Sequence, residues 1–343
     1  MSLNRYDGQN RSREHTVAEV LLGVLELPPS GRFLVADDTH GFVRQGLQSD
    51  DTQIHQYWRA ATDEHGAEAW PPPGPFDGAT LRISKDKTAF EMNLHALASV
   101  LRKGAFLWIY GANDEGIKSA SKKLSPLFTD VHTVDTRRHC RVLRALRSDD
   151  TDTLRSTLSD WAMDTELLHP TGAIMHRTYP GIFAKGRLDA GTALLLDAIG
   201  QPNPGAHILD YACGAGVIAG ELYRRQPDVQ LTMMDADAVA VFAAQENVPT
   251  AHAQIMSDPM AIDAQPPFDM IVSNPPIHEG KERDYRVVRR LIESAARNLR
   301  KGCPLWMVVQ KQVPVTDALG THLASASCVS TDGRFNVWRA IRP

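Results

Sequence analysis

The sequence predicts an α/β protein with two tandem, doubly wound domains, each built on a mostly parallel sheet. In the second half, short apolar runs alternate with helical patterns, as parallel strands with crossover helices require. The chain also repeats itself, since 101–109 (LRKGAFLWI) matches 299–307 (LRKGCPLWM) and 142–147 (VLRALR) matches 337–342 (VWRAIR). The two offsets, 198 and 195 residues, are nearly equal, which indicates duplication of one fold.

The first predicted strand of each copy leads into a loop, and the two loops differ. The segment 32–38 (RFLVADD) corresponds to 207–210 (HILD), allowing for a few residues of drift. After this strand the first copy has only Gly41, whereas the second has Gly214 and Gly216. The first copy therefore lacks the glycine loop of the second.

A second loop is also missing from the first copy. The apolar segment 81–84 (LRIS) resembles 270–273 (MIVS), so that 85–87 (KDK) falls where the second copy continues with 274–276 (NPP). We infer that the first copy kept its scaffold strands and lost both chemical loops. Its expected function is structural or substrate-binding.

Apolar runs and turn-forming residues outline the second copy. Four short runs predict buried strands, at 231–234, 255–256, 270–272 and 305–309. Apolar residues at helical spacing predict a helix over 285–299 with one buried stripe. Polar breaks at 148–150 and 169–172 indicate a boundary between residues 150 and 170. We therefore expect a first domain over 1–155 and a second over 166–343.

Composition indicates a soluble globular protein in a reducing compartment. The chain has 343 residues, 43% of them hydrophobic and 23% charged. No apolar run approaches the ~18 residues needed to span a membrane, and residues 1–13 lack the apolar core of a signal peptide. The four cysteines form no Cys-x-x-Cys pair, and the 13 histidines form no cluster with metal-ligand spacing. We expect a cytoplasmic protein that contacts no membrane and holds no metal.

The segment 210–216 (DYACGAG), directly after an apolar run, predicts a cofactor loop between a strand and a helix. Gly214 and Gly216 allow the backbone to approach a ligand that a Cβ would exclude. Asp210 ends the strand, where its carboxylate is expected to accept a hydrogen bond from a cationic amino group of the cofactor. Cys213 is interpreted as a small residue packed in this cofactor loop, because no basic partner that would activate a nucleophile is nearby in sequence.

Acidic residues after the following strands indicate the cofactor class. Asp235 lies 25 residues after Asp210, where a carboxylate is expected to hold both ribose hydroxyls. The loop lacks the third glycine of the dinucleotide pattern, and its acid would repel a pyrophosphate. S-adenosylmethionine carries a sulfonium and an ammonium but no phosphate, so the charge pattern favours it over NAD. Asp258 is the candidate to contact the adenine amino group, with a turn before Pro259 as the alternative.

The segment 274–277 (NPPI), after the apolar strand that ends at 272, predicts the catalytic loop. Two prolines fix φ and remove two donors, so the backbone is rigid. The side-chain oxygen of Asn274 and the carbonyl of Pro275 are expected to accept both hydrogens of a planar amine, turning its lone pair toward the methyl group. The predicted catalytic residues, acting by positioning and electrostatics, are Asn274, Pro275, Pro276 and Ile277.

These motifs resemble the small-subunit ribosomal RNA guanine-N2 methyltransferase (RsmC) family and its large-subunit relative. The resemblance covers nearly the whole chain and includes 111–119, 180–183, 188–191, 210–216, 273–280 and 333–335. It implies two Rossmann-like class I methyltransferase domains. The second would bind S-adenosylmethionine, and the first, degenerate, would be a scaffold or bind RNA. The ending 278–280 (HEG) favours the small-subunit member, and hence methylation of guanine N2 in 16S ribosomal RNA.

The resemblance also assigns individual residues. Phe183 and Asp189 would lie near the cofactor. Relatives usually have Phe or Tyr where this chain has Ile277, so base stacking worth ~1–3 kcal/mol is given up. Because 281–301 and 137–147 are locally basic, we expect the small ribosomal subunit and its RNA as partner. Predicted substrate contacts are Ile277, His278, Arg283 and Arg286. A monomer is expected, since a fused duplicate could replace a homodimer.

Several alternatives stay open at this stage. A large-subunit guanine-N2 methyltransferase would use the same architecture. A glutamine-N5 protein methyltransferase would also hold a planar NH2 group with Asn-Pro-Pro, and an adenine-N6 enzyme is chemically possible. A catalytically inactive RNA-binding or ribosome-assembly protein is supported only by Ile277.

Overall fold

The computed structural model describes residues 3–169, 172–256, 267–277 and 285–343. The chain forms two compact units. Unit 1 contains the chain up to Ala60 together with Ala67–Ala162, and unit 2 contains Ala61–Gly66 together with Met163–Pro343. The main division therefore falls between Ala162 and Met163, and a six-residue piece from the first half of the chain belongs to unit 2.

Unit 1 is a six-stranded sheet with flanking helices. Its elements are α1 (Leu3–Leu22), β1 (Gly31–Ala36), α2 (Phe42–Gly46), β2 (Thr52–Tyr57), β3 (Phe76–Arg82), α3 (Lys87–Val100), β4 (Leu101–Ala112), α4 (Ile117–Ala120), β5 (Phe128–Asp135) and β6 (Cys140–Arg147). The strand order is β2-β1-β3-β4-β6-β5. The strands from β2 to β4 are parallel, whereas β6 pairs antiparallel with both β4 and β5.

Unit 2 has a seven-stranded sheet and a separate two-stranded hairpin. Its elements are β7 (Met163–His169), β8 (Gly172–Thr178), α5 (Ala190–Ala198), β9 (His207–Tyr211), α6 (Val217–Arg225), β10 (Gln230–Asp235), α7 (Ala238–Asn247), β11 (His252–Ile255), β12 (Met270–Ser273), α8 (Arg286–Asn298), β13 (Pro304–Gln310), α9 (Thr316–His322), β14 (Ala324–Thr331) and β15 (Phe335–Ile341). The sheet order is β11-β10-β9-β12-β13-β15-β14, and β7 pairs with β8.

The sheet of unit 2 is covered on both faces. Alternate residues of β9 point to opposite sides, as in any strand. Ile208 packs in one apolar cluster with Leu222 of α6, while Leu209 packs in another with Leu291 of α8. The mostly parallel strands and the helices on both faces confirm the predicted doubly wound fold.

Strand order confirms the duplication. Apart from β11, the order in unit 2 repeats that of unit 1, with β9, β12, β13 and β15 in the places of β1, β3, β4 and β6. The register predicted by the repeated segments is also observed. Trp108 lies opposite Arg144, and Trp306 lies opposite Arg339. Each guanidinium sits over its indole, at 5.7 Å and 5.8 Å from the ring centroid.

One sequence alignment was wrong by three residues. Thr80 of β3 lies opposite Trp108, and Val272 of β12 lies opposite Trp306. Counting on from these pairs, Arg82 takes the place of Asn274, which the alignment had given to Lys85. The physical reason is that any short apolar run suits a buried strand, so local similarity between two such runs does not fix their register.

The predicted secondary structure of the second half is otherwise close to that observed. The helix predicted over 285–299 is α8, with Leu291 and Ile292 on its buried side. The strand predicted as buried at 255–256 is β11, which lies at the sheet edge and leaves Ile255 37% exposed. Within the described residues, no helix is long and apolar enough to cross a membrane.

Candidate functional site

The glycine loop leaves the end of β9 and enters α6, and its two glycines serve different purposes. Both have positive φ, 54° at Gly214 and 81° at Gly216. A Cβ at Gly214 would meet no atom within 4 Å, whereas one at Gly216 would lie 3.2 Å from Ala244 of α7. Gly214 therefore leaves space for a ligand, and Gly216 allows the loop to pack closely on a helix.

A cavity of about 620 Å³ opens beside this loop, at the carboxyl ends of the parallel strands. That is where doubly wound sheets bind ligands, and its volume suits a nucleoside-sized ligand. The polar and functional residues in its lining are His176, Thr178, Phe183, Arg187, Asp189, Thr192, Cys213, Gly214, Asp235, Asp237, Asn274, Pro275, Pro276, Ile277, Gln310, Arg334 and Phe335. Thus the two predicted loops lie around one cavity.

Asp235, at the end of β10, fastens the glycine loop from the side. Its Oδ2 accepts a hydrogen bond from the amide of Gly214 at 2.9 Å, and its Oδ1 accepts one from the amide of Asp237 at 2.9 Å. Burial raises the pKa of this carboxyl to about 6. Each oxygen keeps acceptor capacity for a ligand hydroxyl, because a carboxylate oxygen has two lone pairs.

Asp210 lies behind the loop and is not in the cavity lining. It is fully buried, and its Oδ2 accepts a hydrogen bond from the amide of Ala219 in α6 at 3.0 Å. Burial raises the pKa of the Asp210 carboxyl to about 8. Asp210 therefore does not border the cavity, and its direct contact with a cofactor amino group stays a prediction. Gly216 is likewise absent from the lining, because its free space is taken by α7.

Cys213 lines the cavity but is buried. Its thiol donates to the carbonyl of Gly214, with a sulfur–oxygen distance of 3.4 Å. Burial, together with the neighbouring carboxylates, raises the pKa of the thiol well above its ordinary value. A thiol in this environment is a poor nucleophile, so Cys213 is a packing residue of the loop.

Asn274 follows β12 and is tied to the first turn of α5. Its Nδ2 donates to Oδ2 of Asp189 at 3.0 Å and to Oγ1 of Thr192 at 3.0 Å. Asp189 is the N-cap of α5, where the same oxygen accepts a hydrogen bond from the amide of Thr192 at 3.1 Å. Since both amide hydrogens of Asn274 are directed to these partners, its oxygen is the acceptor left for a substrate.

The remaining predicted residues have mixed outcomes. Phe183 lines the cavity and is 70% exposed, and Ile277 lines it while packing against the core beneath α8. Arg286 is the first residue of α8 and is half-buried. The predicted positions Asp258, His278 and Arg283 lie outside the described residues.

Sequence reasoning missed the contribution of the hairpin strand β8. His176 and Thr178 are buried, face the cavity, and stand two residues apart on one side of the strand. Burial lowers the pKa of His176 to about 4, and Oγ1 of Thr178 has no hydrogen-bond partner within the described part of the chain. Asn247 holds this strand to the glycine loop by donating to the carbonyls of Arg177 and Ala215 at 2.8 Å and 2.9 Å.

Comparison with known proteins places the chain among methyltransferases. The family model described as "Methyltransferase small domain" matches residues 173–339, and "Methyltransferase small domain N-terminal" matches 37–164. A solved structure of the Thermus thermophilus 16S rRNA N2 G1207 methyltransferase (RsmC), in complex with AdoMet and guanosine, superimposes with a TM-score of 0.84. It covers 96% of this chain and 92% of its own at 19% identity, which establishes the shared fold.

Curated relatives resemble the chain over most of its length. Ribosomal RNA small subunit methyltransferase C of Pseudomonas fluorescens is 34% identical over 274 residues, covering 79% of this chain and 81% of the relative. The protein of the same name from Pseudoalteromonas atlantica is 29% identical over 339 residues, covering 94% and 97%. With this identity and coverage, the chain belongs to the ribosomal RNA small subunit methyltransferase C family.

Proposed function

We propose that unit 2 transfers a methyl group from S-adenosylmethionine to the exocyclic N2 of a guanine in small-subunit ribosomal RNA. The observation that carries the proposal is the pinned amide of Asn274 on the wall of the glycine-loop cavity. Family membership supports the substrate class, because the relatives bear the name of that activity.

The cavity fits the proposed cofactor. S-adenosylmethionine, when bound, supplies a methyl group attached to a positively charged sulfur. Because Gly214 has no side chain, the space beside it would let the cofactor lie against the backbone of the loop. The carboxylate of Asp235 would accept hydrogen bonds from the ribose hydroxyls of the cofactor. The hydroxyl of Thr178, which has no partner among the described residues, offers a further polar contact inside the cavity. Asp210 and Gly216 would support the loop from behind, and Phe183 would cover the mouth.

Asn274 and Pro275 would hold the target amine. The oxygen of Asn274 and the carbonyl of Pro275 are two acceptors, which match the two hydrogens of an exocyclic NH2 group. Held in this way, the nitrogen lone pair is directed at the methyl group, and catalysis comes from orientation. Ile277 and Pro276 would cover the base by apolar contact.

Unit 1, corresponding to the predicted domain 1–155, is proposed to be a degenerate scaffold that also binds RNA. Bulky or charged side chains stand where unit 2 has residues that line the cavity: Trp58 for Asp235, Tyr110 for Val308 and Arg82 for Asn274. In unit 2 the arginines of α8, including Arg286 and Arg289, are proposed to meet RNA phosphates. We expect the chain to act on ribosomal RNA in the cytoplasm, as a monomer.

Transfer of labelled methyl from S-adenosylmethionine tests the proposal. The acceptors are undermethylated small subunits, undermethylated large subunits and a translation release factor, each followed by nucleoside or amino-acid analysis. Label in N2-methylguanosine of the small subunit is the expected result. Label on the large subunit, on glutamine or on adenine would show that the substrate differs from the one proposed. Cofactor binding without transfer to any acceptor would favour an inactive RNA-binding protein.

A further inference from the structure

We propose that Asp189 and Thr192 are positioning residues that decide which end of the Asn274 side-chain amide faces the target amine. The inference rests on the proposed function, in which Asn274 holds that amine. It differs from the prediction that Asp189 contacts the cofactor, because here Asp189 acts through Asn274.

The chemistry of the three side chains fixes the direction of the hydrogen bonds. A carboxylate at neutral pH accepts hydrogen bonds and donates none, so Oδ2 of Asp189 must face the NH2 end of Asn274. The hydroxyl of Thr192 then takes the second amide hydrogen at 3.0 Å. The amide oxygen of Asn274 is left as the acceptor, as an NH2 substrate requires.

The alternative orientation would defeat the site. The oxygen and nitrogen of an asparagine amide have nearly the same shape, and a half-turn about the last side-chain torsion exchanges them. After such a turn, the NH2 group of Asn274 would confront the NH2 group of the substrate, and two donors cannot bond to each other. An acceptor-only partner prevents this, because the turned amide would direct its oxygen at the Asp189 carboxylate.

The surrounding residues hold Asp189 in place. As the N-cap of α5, its Oδ2 also accepts from the amide of Thr192 at 3.1 Å, so the carboxylate is fixed by the helix itself. Gly191 leaves it room, because a Cβ there would lie 3.0 Å from this oxygen and 3.2 Å from the ring of Phe335. The helix, the carboxylate and the amide therefore form one rigid connection.

The decisive experiment reverses the polarity of the pair. Asn274→Asp alone places a second carboxylate against Asp189, and we expect kcat to fall by about 10³-fold. Adding Asp189→Asn keeps an N-cap residue, whose amide oxygen takes over the bond from the Thr192 amide while its NH2 group is offered to one oxygen of residue 274. The other oxygen of residue 274 is then left for the substrate. We expect this double variant to recover at least about 10-fold over Asn274→Asp, with the affinity for S-adenosylmethionine unchanged. A double variant no better than Asn274→Asp overturns the proposal.

Thr192 gives a milder and independent test. Thr192→Val keeps the shape but removes the hydroxyl acceptor, so kcat should fall about 5- to 10-fold while KM for S-adenosylmethionine stays the same. Thr192→Ser restores the hydroxyl and should restore kcat. A purely structural role would instead change the unfolding midpoint and would not be rescued selectively in kcat. Equal kcat in all three proteins would contradict the inference.

A measurement without turnover separates this inference from the proposed function. In cofactor-free protein, both Asn274 side-chain amide hydrogens should exchange slowly with solvent by NMR, and Thr192→Val should speed the exchange. Fast exchange in the wild-type chain overturns the positioning role even if guanine is methylated. Slow exchange together with methylation of another acceptor would support the positioning role and change only the proposed substrate. The Asn274→Asp variant and the double variant with Asp189→Asn would then be assayed with that acceptor.

Discussion

Unit 1 and unit 2 share a strand order but differ at the carboxyl ends of their strands. In unit 2, Asn274 donates hydrogen bonds to Asp189 and Thr192 at the start of α5 and lines an open cavity. At the matching place in unit 1, the buried guanidinium of Arg82 is bound by both carboxylate oxygens of Glu14 in α1, each at 2.8 Å, and by Glu115 at 2.8 Å. The same contact between strand end and helix thus serves stability in one unit, while it orients an acceptor in the other.

The backbone of the glycine loop was conserved between the copies more faithfully than its side chains. Ala212 has φ 56° and Asp37, its counterpart, has φ 57°, and Gly216 and Gly41 both precede their helix in the left-handed region. The loop conformation therefore belongs to the fold and does not depend on a ligand. The two units differ in their side chains, which fill the space beside the loop in unit 1 and leave a cavity there in unit 2.

The largest expected effect on activity is the loss on truncating Asn274. Asn274→Ala removes an oriented acceptor from the proposed amine site, so we expect kcat to fall by about 10²- to 10³-fold with little change in S-adenosylmethionine affinity. Single-turnover methyl transfer and calorimetric titration measure the two quantities. Asn298→Ala, on the far end of α8, is the matched control. Wild-type kcat in Asn274→Ala would remove Asn274 from the chemistry.

The equivalent substitution in unit 1 should act on stability. Arg82→Met leaves the Glu14 and Glu115 carboxylates without their buried partner, so we expect a loss of about 3–5 kcal/mol in the free energy of unfolding. Burial alone would raise the pKa of Glu14, yet its hydrogen bond to Arg82 and the charge of Arg82 lower it. A carboxyl group with a lowered pKa stabilises the fold fully above its unfolded-state pKa. The Arg82 contribution should therefore be lost as the pH falls below that value and through the lowered folded-state pKa of Glu14.

Denaturant unfolding of the full chain measures this loss. The matched control is Arg102→Met, whose ion pair with Asp77 is largely exposed, with 58% of the Arg102 side chain accessible. An exposed pair contributes about 0–1 kcal/mol, so the control should unfold almost like the wild type. Equal effects of the two substitutions would contradict the stabilising role of the buried ion pairs of Arg82.

The two glycines that precede the loop helices offer a finer comparison. Alanine at either position adopts an unfavourable positive φ, at a cost of about 1–2 kcal/mol. Gly216→Ala should cost about 1–3 kcal/mol more, because its Cβ would press on Ala244 at 3.2 Å. Gly41→Ala adds only an ordinary contact at 3.5 Å to Gln45. Equal unfolding free energies for the two variants would contradict this prediction and would show that α7 shifts to make room for the added methyl group.

The smallest expected effect is the pH dependence of cofactor affinity. Asp235 has a pKa raised to about 6, and a cationic cofactor with ribose hydroxyls favours its charged form. Affinity should therefore rise with pH through about 6 and level off above it, with a loss of about 10-fold between pH 7 and pH 5. Calorimetric titration at four pH values measures this change. Asp235→Asn should give a weaker but flat profile, and a flat wild-type profile would place the ribose elsewhere.

The sequence revealed those parts of the fold and the site that follow from local pattern. The matched strands around Trp108 and Trp306 predicted the sheet register, because identical residues at two positions in each copy fix the offset. The loops at 210–216 and 274–277 were predicted because few residue types permit their backbones. The register of β3 was missed, because its apolar run carries no residue that distinguishes one alignment from the next.

The parts of the site that depend on distant contacts could not be predicted in this way. The positions of Asp189 and Thr192 against Asn274 depend on how α5 meets the end of β12, which no spacing in the chain specifies. The contribution of β8 was missed because His176 and Thr178 become cavity residues only when Asn247 holds their strand to the glycine loop. Similarly, the burial of Asp210 behind the loop depends on its bond to α6.

The six residues Ala61–Gly66 lie in the first half of the sequence but belong to unit 2, so the two copies are not fully independent along the chain. The amide of Ala61 donates to the carbonyl of Ala236 at 2.8 Å, next to Asp235, and Asp63 pairs with Arg290 of α8 at 3.4 Å. A piece of polypeptide encoded in the first copy thus completes the second. Because Ala61–Gly66 belong to unit 2, a truncated protein that starts at Met163 would lack part of that unit. The smallest fragment that retains all of unit 2 must begin at residue 61.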